Sequence, residues 1–131
     1  MGVKQVFKRI ALAVAFAVIG VVAMRATQAS AETMTWPVKS NYKYKVQVAF
    51  YSQSRRHEWP GGGEAYNLND SETHEYPLEC NDGEKICFGA WVTGNARKYW
   101  GVGYENKHSC KDCCFVCGAG DIPRQVLDEG D

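Results

Sequence analysis

Sulfur is the reactive element concentrated in this chain. Four of its six cysteines, Cys110, Cys113, Cys114 and Cys117, fall within eight positions just after His108, and the other two, Cys80 and Cys87, bracket an Asn-Asp-Gly turn some thirty residues earlier. Such a group can form disulfides, hold a metal or exchange electrons. An even cysteine count in a short exported chain reads first as a disulfide framework, here three bridges through Cys80, Cys87, Cys110, Cys113, Cys114 and Cys117. Six cysteines admit about 15 pairings, and spacing does not select one. The neighbours Cys113 and Cys114 point apart and suit different partners. At least one bridge is expected to run from Cys80 or Cys87 into the cluster.

The alternative is a thiol-based metal-binding or redox protein centred on Cys110, Cys113, Cys114 and Cys117, with His108 as a nitrogen ligand. On a helix the four thiols would share one stripe, but seven residues rise about 10 Å. Thiolates around one zinc lie within about 4 Å of one another. The segment would therefore have to be looped to serve one ion. Two Cys-x-x-Cys pairs, Cys110/Cys113 and Cys114/Cys117, suit redox chemistry, yet the βαβ context of thioredoxin-like proteins is missing.

A second candidate is the loop Arg55-Arg56-His57-Glu58-Trp59 with the glycines that follow. Cations, an aromatic ring and permissive backbone on a long inter-strand connection make Arg55, Arg56, His57 and Trp59 the expected contact loop. The competing reading folds Trp59 back over one end of the sheets. No Gly-Lys-Ser/Thr follows the glycines, so they do not form a phosphate cradle. No Gly-x-Ser-x-Gly or His-Glu-x-x-His motif is present. His57 and Glu58 are adjacent and face apart when extended, and His74 sits on the apolar face of its strand. No catalytic residue is assigned and no cofactor is expected.

The elements that must position these residues are short strands. Tyr44–Tyr51 alternates apolar and polar residues as a half-buried strand does. Glu32–Asn41 reads as a leader ending in an edge strand, because Pro37 cannot donate to a central ladder. Ala65–Leu68 and Thr73–Glu79 follow. In the latter His74, Tyr76 and Leu78 oppose Glu75, Pro77 and Glu79. Asn81-Asp82-Gly83 signals a hairpin into Lys85–Thr93, which is apolar on both faces and so is the central strand. Tyr99–Tyr104 closes the set, its glycines indicating a bulge or close contact with another backbone. The fold class is all-β: a small disulfide-stabilised antiparallel β-sandwich or partly open barrel.

Before it, Lys4, Lys8 and Arg9 precede an apolar run from Ile10 to Met24, and Ala29-Ser30-Ala31 offers a cleavage site. This is the pattern of a cleavable signal helix over 1–31, and the run is short of the about 20 residues that span a bilayer. The domain then covers 32–117, and 118–131 is an acidic tail expected to be flexible. Removal of 1–31 takes the basic count from 15 to 11 against 15 acidic residues, a net charge of −4. A mildly acidic domain without a basic stripe argues against nucleic acid, and against membrane surfaces once the signal is gone. The expected location is periplasmic or extracellular, and the expected partner a protein or carbohydrate.

Overall fold

The computed structural model describes residues 31–129. The signal segment, Ala31 apart, lies outside the described residues. Among the described residues nine strands form two sheets: β1 (Ala31–Ser40), β2 (Val46–Ser52), β3 (Glu58–Trp59), β4 (Tyr66–Leu68), β5 (Thr73–Asn81), β6 (Lys85–Val92), β7 (Asn95–Gly101), β8 (Cys114–Val116) and β9 (Gln125–Leu127). The smaller sheet has the order β5-β1-β9. The larger runs β3-β2-β6-β7, with β4 also on β2 and β8 also on β6. The architecture is the expected all-β sandwich, open rather than closed into a barrel.

Alternation builds the inner faces. Met34, Trp36 and Val38 of β1 and Tyr76 and Leu78 of β5 are buried against Val46, Val48 and Phe50 of β2 and Ile86, Phe88 and Ala90 of β6. Trp36 is the pivot, with ring centroids 5.1 Å from Phe50, 6.1 Å from Phe88 and 5.4 Å from Phe115. Its buried indole N–H has no hydrogen-bond partner among the described residues. That cost, about 1–3 kcal/mol, is set against the contact the ring provides between the sheets.

Several expectations are corrected. The leader is β1, a ten-residue strand lying between β5 and β9 rather than at an edge. Pairing shows how it accommodates proline: Thr35 opposes Pro77 and Pro37 opposes Glu75, alternate positions of one ladder. On β5 the same set includes Glu79, whose carbonyl accepts from the Trp59 indole, and Asn81, whose N–H donates to Glu84. Main-chain groups of this set therefore face away from β1, and the missing N–H of Pro77 falls on the outer edge. Pro37 faces the other way, toward the β9 side, where pairing begins only at Val38.

Strand β2 starts at Val46, leaving Tyr44 60% exposed, and it is buried on both faces beyond Gln47. A second apolar layer of Ala49, Tyr51, Cys87, Trp91 and Val102 covers the outer face of the larger sheet. As expected, β6 is central. The Asn81–Glu84 turn forms, with the Glu84 N–H donating to the Asn81 carbonyl at 2.9 Å, but it makes no hairpin, since β5 and β6 belong to different sheets. The segment after Cys117, expected to be loose, supplies β9, which pairs in parallel with Val38–Ser40 and buries Leu127 completely.

The glycines of the last long strand do meet backbone. Gly89 opposes Gly101, and a Cβ on Gly89 would lie 2.2 Å from the Gly103 carbonyl oxygen.

Candidate functional site

All six cysteines are bridged: Cys80–Cys117, Cys87–Cys114 and Cys110–Cys113. The first joins the end of β5 to the residue after β8. There the main chain doubles the link, with the Gly83 N–H on the Cys117 carbonyl at 2.9 Å and the Cys117 N–H on the Glu84 carbonyl at 2.8 Å. The second joins directly opposed residues of β6 and β8. Both Cys80 and Cys87 therefore reach the cluster, and Cys113 and Cys114 serve different partners. The metal alternative is corrected by the same pairing, because Cys110, Cys113, Cys114 and Cys117 have no thiolate to offer an ion. His108 instead stacks on Tyr99, centroids 3.8 Å apart and planes within 7°. Among the described residues no group of three or more His, Cys, Asp or Glu could hold a metal ion. Three bridges in so small a domain fit an oxidising compartment, and no described helix is long and apolar enough to cross a membrane.

The Arg55–Trp59 loop is divided between structure and surface. The end of β2 turns back through Ser52, whose hydroxyl oxygen accepts the N–H groups of Ser54 and Arg55 at 3.1 Å each. The Ser52 N–H donates to the His57 carbonyl, and Tyr51 pairs with Glu58 and Phe50 with Trp59. Trp59 is buried, its indole N–H 3.1 Å from the Glu79 carbonyl oxygen, and it bridges the two sheets. It closes one end of the sandwich, with only 8% of its surface exposed.

Arg55 is also committed. Its Nε and Nη2 donate to the two carboxylate oxygens of Glu84 at 2.6 and 3.1 Å, while its guanidinium lies 5.8 Å from the Trp59 ring centre. Glu84 is 3% exposed. Burial pushes its carboxyl up, but the Arg55 guanidinium, the Asn81 N–H and the Ser52 hydroxyl outweigh this and hold it at about 2. Glu84 was not singled out in the sequence. The signal that could have found it is an acid directly after a turn glycine, opposite a doubled arginine.

Arg55 stays exposed despite its pairing with Glu84, as do Arg56 and His57, the last edge-on to Trp59 at 4.5 Å between centroids. They form one wall of an open depression of about 630 Å³, with Gly61 and Gly62 beside them and Glu105 and Asn106 opposite. Tyr51 forms the floor, its phenol oxygen accepting the Glu105 N–H at 3.0 Å. Burial pushes that phenol up to about 12, so it stays protonated. The opposite wall is backbone under strain: Glu105 and Asn106 both take positive φ, 55° and 58°. Two successive non-glycine residues in this region are uncommon. The Gln53 side chain holds the second, donating to Asn106 Oδ1 at 3.2 Å. His74, expected in the core, is half-exposed and bonded to Asp70 at 2.7 Å. That contact is the first cause of a lowered Asp70 carboxyl. It lies away from this depression.

Compared with known proteins, the chain matches no protein-family model, no curated protein and no solved structure.

Proposed function

We propose that this is an exported binding module, braced by its disulfides, that takes a polar ligand into the depression between Arg56–Gly62 and Glu105–Asn106. The observation that carries the reading is a division of labour within one loop. Arg55 and Trp59 are fixed to Glu84 and Glu79, and so hold Arg56 and His57 outward on a rigid base. A rigid rim reduces the ordering cost of binding, and Arg56, facing a depression that also holds the carboxylates of Glu58 and Glu105, suits a ligand that carries one anionic group beside hydrogen-bond donors. A protein loop with an acidic residue or a saccharide with a uronate or sulfate both meet that description.

The test is a binding screen of the mature protein on arrayed neutral, uronate-containing and sulfated oligosaccharides and acidic peptides, repeated with Arg56→Ala. The expected result is an acidic ligand whose affinity falls about tenfold, a loss of about 1.4 kcal/mol, with the melting temperature unchanged. Ligands that bind Arg56→Ala as well as the parent, or that map to the Tyr44 end of the sandwich, would overturn the assignment.

A further inference from the structure

The three bridges are not equivalent. Cys80–Cys117 and Cys87–Cys114 span 37 and 27 residues and tie separate strands together, whereas Cys110–Cys113 spans three and closes a short loop just before β8. Cys80, Cys87, Cys113 and Cys117 are buried and Cys110 and Cys114 partly exposed, Cys114 within β8 opposite Cys87 and Cys110 at the end of a run, Tyr104–Ser109, that lies wholly on the surface. Lys111 follows it, exposed. Lys85 and Lys107 line the same depression of about 410 Å³ as Cys110. A solvent-reachable sulfur among cations, on a bridge that joins no two strands, is where exchange rather than support is expected.

We propose that the Cys110–Cys113 pair is a thiol–disulfide exchange site for a dithiol partner, with Cys110 the sulfur that is attacked. A thiolate of the partner attacks Cys110 Sγ. The partner–Cys110 bond forms, the Cys110–Cys113 bond breaks and Cys113 leaves as a thiolate inside the fold. The partner's second thiolate then attacks its own sulfur in the mixed disulfide and Cys110 departs. The partner dithiol is oxidised to a disulfide by two electrons, the bridge is reduced to two thiols, and the partner's two protons end on Cys110 and Cys113. The lysines that share the depression with Cys110 favour the thiolate formed there when it departs. The other two bridges keep the sandwich intact throughout, so the exchange needs no unfolding.

The experiment is graded reduction of the unaltered protein with dithiothreitol, followed by alkylation and peptide mass mapping. Cys110 and Cys113 should become alkylated at about tenfold lower dithiothreitol than the other four cysteines, with the near-ultraviolet circular dichroism unchanged. In a second arm, Cys113→Ser should take up one glutathione at Cys110 from oxidised glutathione, and Cys110→Ser, whose remaining thiol is buried, should take it up at least about tenfold more slowly. Simultaneous reduction of all three bridges with loss of the native spectrum would overturn the proposal. So would earlier opening of Cys80–Cys117 or Cys87–Cys114, or equal uptake by the two serine variants. The first arm uses the native chain, so it decides the matter even where a serine variant does not fold.

Discussion

Glu84 is the residue on which the loop end of the molecule turns. Its carboxylate gathers a guanidinium from the β2–β3 hairpin, a main-chain N–H from the end of β5 and a hydroxyl from β2. Removing the charge frees no space but leaves those donors to a weaker acceptor. Glu84→Gln should lower stability by about 2 kcal/mol, read as a shifted urea midpoint at neutral pH. The pH dependence has a fixed sign. The folded carboxyl is held at about 2 against an ordinary 4.5, so between these values the unfolded chain binds more protons than the folded one, and stability falls as pH falls. The contribution is fully present above about pH 4.5 and is lost progressively toward pH 2, amounting to about 2–3 kcal/mol. Urea midpoints measured across that window should slope in the parent and be markedly flatter in Glu84→Gln. Equal slopes would show that the pair is solvated and weak.

Strands were legible where periodicity was clean. The inward set Tyr76 and Leu78, the doubly buried β6 and the residues flanking Asn81–Glu84 all follow from alternation and turn chemistry. Three things were not. Which strands pair across a turn is decided by the two inner faces, not by the turn, so the Asn-Asp-Gly signal gave a bend between sheets rather than a hairpin. A proline reads as an edge marker, yet Pro37 sits in an inner strand because its missing N–H points to a stretch where β9 has not yet begun. The second apolar layer was hidden because Ala49, Cys87 and Val102 lie far apart in the chain. Of the candidate contact loop, Arg55, Arg56 and His57 remain on the surface and Trp59 is buried, while Trp59 and Arg55 are held by carbonyl and carboxylate acceptors that no local spacing reveals. Gly89 tests the element-scale account. Any Cβ there drives into the Gly103 carbonyl, so Gly89→Ala should cost about 3 kcal/mol through backbone displacement. Gly62→Ala meets no atom within 4 Å and carries only the strain of its positive φ, about 1 kcal/mol. Comparable urea midpoints for the two variants would mean that the β6–β7 crossing is looser than described.

At the scale of the whole molecule, the chain's late residues complete a sheet begun by its early ones. Leu127 is fully buried, Ile122 nearly so, and the Trp100 indole N–H donates to the Asp128 carbonyl at 2.8 Å. Truncation after Gly120 should therefore cost more than about 3 kcal/mol, since one buried leucine alone is worth about 2–5 kcal/mol. A truncated protein with the parent's melting temperature would restore the flexible-tail picture. The outer side of β5 carries a different message. Along that margin Pro77 offers no donor, the Trp59 indole covers the Glu79 carbonyl and Glu84 takes the Asn81 N–H, while Glu75 and Glu79 add like charges. A neighbouring chain finds little there to zip onto. Crowded solutions of this protein should accordingly resist fibril formation along that flank, and the ligand proposed above would not be enrolled there as one more ribbon of the sheet.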